Sequence, residues 1–359
     1  MAFQMKKTCL IALLLMSIGA CAAPEIAETA ATKPSPATAL WSFESASRNL
    51  REESCPAGTR FVEPLSLDIT ANPVALNDEG ANPPLPDTVT FAGGWSLTSG
   101  NANFGGLSGL ETLPDGKLLS ISDVGAFVWL GMTDGHPDGT GKLAYMLGQD
   151  GGQLSGKAEG DSEGLAYRDG LAIVSFERNH RLEAFDLENC GAAARAALVA
   201  KLPAEAGGKP IDENQGAEAL SISPDGILTY GLESLFGGPS PMGEVFENGT
   251  SKLTGQDADN PRGYSFVGRD EVPSSSQSPI IITLFRSYDP IRGNRNIITW
   301  SNSNDRIELK RPMLVDNFEG VAGEIRADGT LRIWMISDNN FSGKQQTLLY
   351  VFDVDISAE

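Results

Sequence analysis

The feature of this sequence that most restricts its fold is an internal repeat. Each copy reads as a short strand, an Asp-Gly turn, an apolar strand and a polar residue at the end of that strand. Asp-Gly pairs suit the tight turns of β-hairpins, because both positions tolerate positive φ. The first three turns follow one another at about 55 residues, and the fourth follows after about twice that interval. The four turns are Asp115-Gly116, Asp169-Gly170, Asp225-Gly226 and Asp328-Gly329.

The long interval contains a degenerate fifth copy, in which the strand Ile280–Phe285 is followed by Arg286 instead of a carboxylate. Hairpin repeats of about 50–55 residues predict an all-β fold, a β-propeller with four strands per blade. Within residues 45–105, Arg60–Ile69 and Thr88–Leu97 also read as strands and could build a further blade shared with Thr347–Val354. We therefore expect six blades, with five as the alternative. A β-sandwich is the competing fold, but it does not require this period.

The net charge and the histidine count exclude some classes of function. The 359 residues carry a formal net charge of −20, and 41% of them are hydrophobic. Such an acidic chain repels phosphate backbones, so nucleic-acid binding is not expected, whereas metal cations are attracted. The two histidines, His136 and His180, are too few for a zinc site built on several histidines.

The amino terminus predicts export. Residues 1–20 read as a signal peptide, with Lys6 and Lys7 before an apolar stretch, and Cys21 resembles the lipidated cysteine of a bacterial lipoprotein. Ordinary cleavage near Ala22 is the alternative. Residues 21–44 are then the lipidated cysteine and a flexible tether, and residues 45–359 are one domain. We expect an anchor in the bacterial envelope or a periplasmic protein, with the outer membrane favoured because Ala22 is not aspartate.

Two cysteines remain in the expected domain, Cys55 and Cys190. An even pair in an oxidising compartment permits a disulfide. The sequence alone leaves open whether these two residues come close enough to form it.

Carboxylates recur at the ends of the repeated strands. In a propeller these ends open at the mouth of the central channel, where several carboxylates repel one another unless a cation joins them. Calcium, with its many oxygen ligands and flexible geometry, suits such a ring. Turn capping and pairing with arginine are the alternatives for each residue. The candidate metal ligands are Asp123, Glu163, Glu218, Glu233, Glu319 and Asp338.

The densest polar cluster is Glu177-Arg178-Asn179-His180-Arg181, directly after an apolar strand. Glu177 is a candidate base or ligand, and His180 is a candidate proton carrier. Arg178 and Arg286 are expected to hold an anionic part of the substrate. The alternative for the cluster is a salt-bridged loop.

Four segments of the chain resemble one bacterial family. They read FGGLSGLETLPDGKLLSISD (104–123), DSEGLAY…IVSFERNHRL (161–182), NQGAEALSISPDG (214–226) and DNFEGVA…ISDNNFSGKQQTLLYVFDV (316–354). These segments resemble the family named "esterase-like activity of phytase". The resemblance implies an exported or lipid-anchored propeller. The D-A-D-D-P-A-type segment of the β-propeller phytases is missing, so the resemblance does not extend to phytase activity proper.

Two functions are compatible with these residues. The first is a calcium-dependent hydrolase of phosphate or carboxylic esters, with its site at the channel mouth. It would be a monomer acting on a small ester or phosphoester and touching the membrane only through its lipid anchor. The second is a non-catalytic envelope propeller that binds a ligand or a protein partner. A purely structural ion among the carboxylates is a third, weaker reading.

Overall fold

The computed structural model describes residues 39–77, 84–233, 238–274 and 278–358. The predicted signal peptide, Cys21 and most of the predicted tether lie outside the described residues. No helix among the described residues is both long and apolar enough to cross a bilayer. The elements before the first repeat are α1 (Phe43–Ser54), β1 (Leu65–Pro73) and β2 (Val89–Ser99).

The repeats fold into four-stranded antiparallel units, which we call blades one to five; blades two, three and four are separate sheets, and blades one and five are joined through β1 into one nine-stranded sheet. Blade one consists of β3 (Leu107–Thr112), β4 (Leu118–Ser122), β5 (Ala126–Thr133) and β6 (His136–Tyr145). Blade two follows α2 (Lys157–Gly160) and consists of β7 (Ser162–Arg168), β8 (Leu171–Phe176), β9 (Arg181–Asp186) and, after α3 (Leu187–Cys190), β10 (Ala197–Lys201). A small ribbon, β11 (Glu205–Ala206) and β12 (Lys209–Pro210), leads to the next blade.

The other blades have the same order of strands. Blade three consists of β13 (Ala217–Ile222), β14 (Leu228–Leu232), β15 (Pro241–Val245) and β16 (Ser251–Asp257). Blade four consists of β17 (Ser265–Val272), β18 (Ile280–Asp289), β19 (Gly293–Trp300) and β20 (Arg306–Leu309). Blade five combines β2 with β21 (Asn317–Ile325), β22 (Leu331–Asp338) and β23 (Thr347–Val354), and a 3₁₀ turn, Ile356–Ala358, ends the described chain.

The first strands of the blades are neighbours in a closed circle, in the order β3, β7, β13, β17, β21 and back to β3. The all-β propeller prediction is confirmed. The described strands form five blades, not the favoured six. The segment expected to start a sixth blade instead supplies β2, which pairs with β23, and β1, which lies between β2 and β6. The expected sharing with Thr347–Val354 is therefore present, but it completes blade five.

The core is divided into layers between neighbouring blades. Strand β8 contributes side chains to two of these layers. Leu171 and Ile173 face blade three, while Ala172, Val174 and Phe176 face blade one. Because successive side chains of a strand point to opposite faces, a strand buried on both sides reads as a continuous apolar run.

The packed domain begins before the expected boundary at residue 45. Trp41 and Phe43 are buried in the layer between blades two and three. Ser42 caps α1, since its Oγ accepts a hydrogen bond from the Ser45 amide. The residues just before α1 are thus part of the domain and not of a tether.

Cys55, at the end of α1, forms a disulfide with Cys190 of α3, and the two Cα atoms are 5.7 Å apart. The bond joins residues 135 positions apart and ties α1 to blade two. It therefore restricts the unfolded chain over a long loop.

We expect the double variant Cys55→Ala/Cys190→Ala to lose about 2–4 kcal/mol of unfolding free energy, because the long loop is no longer closed in the unfolded state. Urea unfolding of both proteins, with and without a reductant, measures the loss. The reductant should shift the midpoint of the wild type and leave the double variant unchanged. Equal midpoints under non-reducing conditions would contradict a stabilising disulfide.

Candidate functional site

The first strand of each blade contains a β-bulge near its start, next to the central axis. A bulge adds an unpaired residue and redirects its side chain. Glu163, Glu218 and Glu319 lie at this bulge in blades two, three and five. Val267 takes the position in blade four, and the bulge of blade one falls at Gly109. The repeated glutamates therefore face a common axis because the same irregularity recurs in each blade.

Small residues follow these glutamates because neighbouring first strands approach closely. A Cβ atom on Gly164 would lie 2.8 Å from the carbonyl oxygen of Glu218. A Cβ atom on Gly320 would lie 3.0 Å from the carbonyl carbon of Gly109. The Glu-Gly pairs of the sequence thus combine a side chain for the channel with the close packing of the inner strands.

A second position repeats at the end of the second strand. Glu177 donates its backbone N–H to the carbonyl of Asp161, just before the bulge of the first strand. Arg286 pairs with Ser265 and Asp338 with Asn317 at the equivalent place. The residues at this position in blades one to five are Asp123, Glu177, Glu233, Arg286 and Asp338.

The structure thus brings together all six predicted metal ligands and two of the four predicted catalytic residues. We call this set, with Asp161, the carboxylate ring. Its members are Asp123, Asp161, Glu163, Glu177, Glu218, Glu233, Arg286, Glu319 and Asp338. The functional roles assigned to them remain predictions.

Arg286 occupies one half of the ring. Its guanidinium pairs with Glu319, with Glu233 at 3.1 Å and with Glu218 at 3.7 Å. Burial alone would lower the pKa of Arg286, but the attraction of the nearby glutamates raises it. Blade four, which has valine at the bulge, therefore supplies the cation that neutralises the glutamates of its neighbours. Arg286 was expected to hold substrate, and the structure gives it partners on its own chain.

Three carboxylates of the ring each keep one oxygen without a hydrogen bond, and only one of the three, Glu218, is a partner of Arg286. Among the described residues, no hydrogen bond reaches Asp123 Oδ1, Asp161 Oδ1 or Glu218 Oε2, all of which are buried. Asp161 and Glu218 are only 2% and 8% exposed. Lys157 Nζ lies 3.6 Å from Asp161 and 4.0 Å from Asp123, and this lysine is itself mostly exposed. Arg178 pairs with the second oxygen of Asp161, so the unsatisfied groups are single buried oxygens, and such acceptors favour the approach of a cation.

The pKa values of several carboxyl groups in the ring are raised. Burial, and then the charge of Asp338, raises the pKa of Asp123 to about 6. Burial raises the pKa of Glu177 to about 7, although a hydrogen bond from the Gly216 amide opposes the shift. Burial and neighbouring carboxylates hold the pKa values of Glu163 and Glu218 well above their usual range. A cation bound among these carboxylates would lower their pKa values and would therefore compete with protons for the ring.

The two remaining predicted catalytic residues lie at the edge of the ring. Arg178 adopts a left-handed backbone conformation and pairs with Asp161 at 3.0 Å and with Glu213 at 3.4 Å. His180 is half-buried, and burial lowers its pKa, so it is neutral at neutral pH. Its Nδ1 atom and the Glu177 carboxyl group both lie close to Gly216, since a Cβ atom there would be 3.4 Å from His180 Nδ1 and from Glu177 Oε1. Arg178 is thus engaged by carboxylates, as the salt-bridged alternative expected.

Sequence reasoning missed Asp161 and Lys157. Asp161 lies two residues before Glu163. Both side chains reach the mouth of the channel because the bulge of β7 lies directly after Asp161 and Ser162. Sequence reasoning also missed Asn317, which bonds to Glu319 at 2.9 Å and to Arg286 at 3.2 Å. A signal for Asp161 was available in the D-x-E-G spacing, which recurs as Asn317-Phe318-Glu319-Gly320.

Calcium binds carboxylate oxygens, so the ring oxygens that lack a hydrogen bond fit a calcium ion. The orphaned oxygens of Asp123, Asp161 and Glu218 are the observation that supports this fit. Within the described ranges, however, no three His, Cys, Asp or Glu side chains form a group already arranged around a metal ion.

A family model described as "Phytase-like: Esterase-like activity of phytase" matches residues 102–267. This segment is phytase-like. The match confirms the resemblance found in the sequence, although the quoted motifs continue to the carboxyl terminus. The phytase-like segment covers blades one to three and the start of β17, so it includes Asp123, Glu163, Glu177, Glu218 and Glu233. No curated protein matches the chain.

Solved structures show a distant likeness to this chain. The PQQ-bound aldose sugar dehydrogenase of Streptomyces coelicolor has 12% identity and a TM-score of 0.44, covering 76% of this chain and 100% of that one. The PQQ domain of pyranose dehydrogenase from Coprinopsis cinerea has 7% identity and a TM-score of 0.39, with coverages of 75% and 98%. AofleA from Arthrobotrys oligospora has 11% identity and a TM-score of 0.38, with coverages of 76% and 80%. Nothing about the chemistry of this chain follows from likenesses this distant.

Proposed function

We propose that the protein is a calcium-dependent hydrolase of phosphate or carboxylic esters that acts at the carboxylate ring. The observation that carries this proposal is the asymmetry of the ring. Arg286 pairs with Glu218, Glu233 and Glu319, while Asp123, Asp161 and Glu218 each keep one buried carboxylate oxygen without a hydrogen bond from any described group. Sites with such uncompensated charge and raised carboxyl pKa values are typical of metal binding and catalysis.

Asp123, Asp161, Glu163 and Glu218 are the side chains that would hold calcium. Glu233 and Glu319, two of the ligands expected from the sequence, are engaged by Arg286 and would instead shape the opposite wall. A bound calcium ion supplies Lewis acidity toward the ester oxygen and toward water.

Glu177 is the group on this chain best placed to accept a proton. Its Oε1 atom accepts the Gly216 amide at 2.8 Å, which fixes the carboxyl group at the mouth. A pKa of about 7 lets it exchange a proton with water near neutral pH. His180, which also lies next to Gly216, is a candidate to pass that proton to solvent. Asn317 keeps Glu319 and Arg286 in place.

The proposed location is the bacterial envelope. A signal peptide at residues 1–20 and a lipid on Cys21 would place the propeller outside the cytoplasm. The Cys55–Cys190 disulfide supports this location, because disulfides persist in oxidising compartments.

The test is the response of folding and turnover to calcium. We expect calcium at about 100 times its dissociation constant to add roughly 2.7 kcal/mol to the unfolding free energy of chelator-treated protein. The thermal midpoint should rise by a few degrees. A panel of phosphate and carboxylic esters should be hydrolysed with calcium and not with excess chelator.

Two variants control this experiment. Glu218→Gln removes a ring carboxylate with an unpaired oxygen and should abolish the calcium-induced shift. Glu247→Gln removes an exposed carboxylate far from the ring and should keep the full shift. A calcium shift without turnover on any ester would favour the binding propeller or the structural ion, and no shift at all would overturn the calcium site.

A further inference from the structure

A cleft of about 960 Å³ opens beside the carboxylate ring, along the loops of blades four and five. Glu233 and Arg286 belong to its wall, so the cleft is continuous with the ring. Two further cationic side chains line it, Arg311 and Lys344. Both are exposed, and in the part of the chain that the structure describes no carboxylate lies within 4.0 Å of either charge.

The acidic groups of the cleft are already satisfied. Asp316 Oδ1 accepts hydrogen bonds from the Asn317 amide and from two side-chain amides, and Oδ2 accepts the Gln346 amide at 2.8 Å. Glu233 is paired with Arg286. These two carboxylates therefore leave Arg311 and Lys344 free to attract an external anion.

Arg311 and Lys344 form one side of the cleft, which we call the cationic wall. Its arginine packs against the backbone of the neighbouring strand. The Arg311 guanidinium lies against Gly293, where a Cβ atom would be 3.0 Å from its Nε. Behind the wall, Arg295 donates to Ser287 Oγ at 2.7 Å and adds a further positive charge. In a chain with a net charge of −20, a cluster of cations beside an acidic ring is a local reversal of sign.

We propose that this cleft binds an anionic group of the substrate, with Arg311 and Lys344 as its specificity-determining residues. The group is an oxyanion, such as a carboxylate or phosphate, carried by the same molecule as the ester that reaches the ring. Arginine and lysine both bind such oxygens through charge-assisted hydrogen bonds. Tyr288, which is 70% exposed and also lines the cleft, offers an apolar surface for the organic part. That the bound anion belongs to a substrate rests on the proposed function, whereas the anion site itself does not depend on it.

The first experiment measures the binding of inorganic phosphate to chelator-treated protein at low ionic strength by calorimetry. The double variant Arg311→Gln/Lys344→Gln should bind phosphate at least about tenfold more weakly, because each cation contributes charged hydrogen bonds. Lys201→Gln, a variant of an exposed lysine on β10, is the matched control and should bind like the wild type. Failure of the wild type to bind phosphate, or undiminished binding by the double variant, would overturn the anion site.

The second experiment separates the cleft from the chemistry at the ring. The esters are 4-nitrophenyl succinate, which carries a free carboxylate, and neutral 4-nitrophenyl butyrate. The double variant should raise KM about tenfold or more for the anionic ester and leave the neutral ester unchanged. Equal effects on both esters would overturn the specificity role. If neither ester is hydrolysed while the double variant still loses phosphate binding, the hydrolase proposal fails and the anion site stands.

Discussion

Replacing Arg286 with methionine is expected to lower the unfolding free energy by about 3–5 kcal/mol at neutral pH, because the variant leaves buried glutamates without their counter-ion. Arg286 pairs with Glu218 and Glu233 from blade three and with Glu319 from blade five, on the two sides of blade four. Methionine fills much of the space of the arginine stem but cannot neutralise these carboxylates. The cost is therefore electrostatic and depends on pH.

The sign of this pH dependence follows from linkage. Burial and the charge of Glu233 already raise the pKa of Glu218, and the charge of Arg286 opposes this rise. Without Arg286 the folded-state pKa of Glu218 rises further above its unfolded value, so the folded variant binds more protons than the unfolded chain. Its stability then falls as pH rises from the unfolded pKa toward the folded pKa. The difference between variant and wild type should thus be small near pH 4.5 and largest at neutral pH and above. Urea unfolding over this range measures it.

Two controls make the Arg286 result specific. Arg286→Lys keeps the charge but not the planar fork that reaches several carboxylates, and it should fall between the wild type and the methionine variant. Arg326→Met removes an arginine that pairs with Asp353 at the surface, and it should cost at most about 1 kcal/mol. A loss for Arg286→Met that does not change with pH would contradict the electrostatic explanation and indicate a packing defect.

Local sequence signals predicted the hairpins well. All four Asp-Gly turns are present, and each glycine has a positive φ: Gly116, Gly170, Gly226 and Gly329. The apolar strand predicted from Leu171 ends at Phe176, one residue before Glu177. These turns and strand ends depend on residues that are close together in the sequence, so the local sequence is enough to predict them.

Closure of the ring of blades was harder to predict. Strand β2 near the amino terminus pairs with β23 at the carboxyl terminus, and no local pattern distinguishes such a strand from the start of a new blade. The blade count was therefore one too high. Pairing with arginine was the alternative for each carboxylate, but its choice of partners could not be predicted, since Glu218 and Glu319 approach Arg286 only after three blades have assembled around the axis. Repeat spacing predicted which residues reach the mouth, but not which of them neutralise one another.

Replacing Glu177 with glutamine is the second change with a large expected effect, and it acts on catalysis and not on folding. Loss of a general base lowers kcat by about 10²–10⁴. Glutamine keeps the size of the side chain and can still accept the Gly216 amide, so the blade should stay intact. Because the variant removes a buried carboxyl group whose pKa is raised to about 7, its unfolding free energy at neutral pH should equal or exceed that of the wild type.

The pH–rate profile of the two proteins tests whether Glu177 is the base. A base must be deprotonated to act, so the kcat of the wild type should rise with pH through about 7. In Glu177→Gln the residual rate should lack this rise, while Glu213→Gln, which removes an exposed neighbour that pairs with Arg178, should keep it. Turnover by Glu177→Gln at the wild-type rate would show that the proton goes elsewhere. A lost rate with an unchanged pH profile would instead assign Glu177 to binding, because a residue that only positions others leaves the titrating group in place.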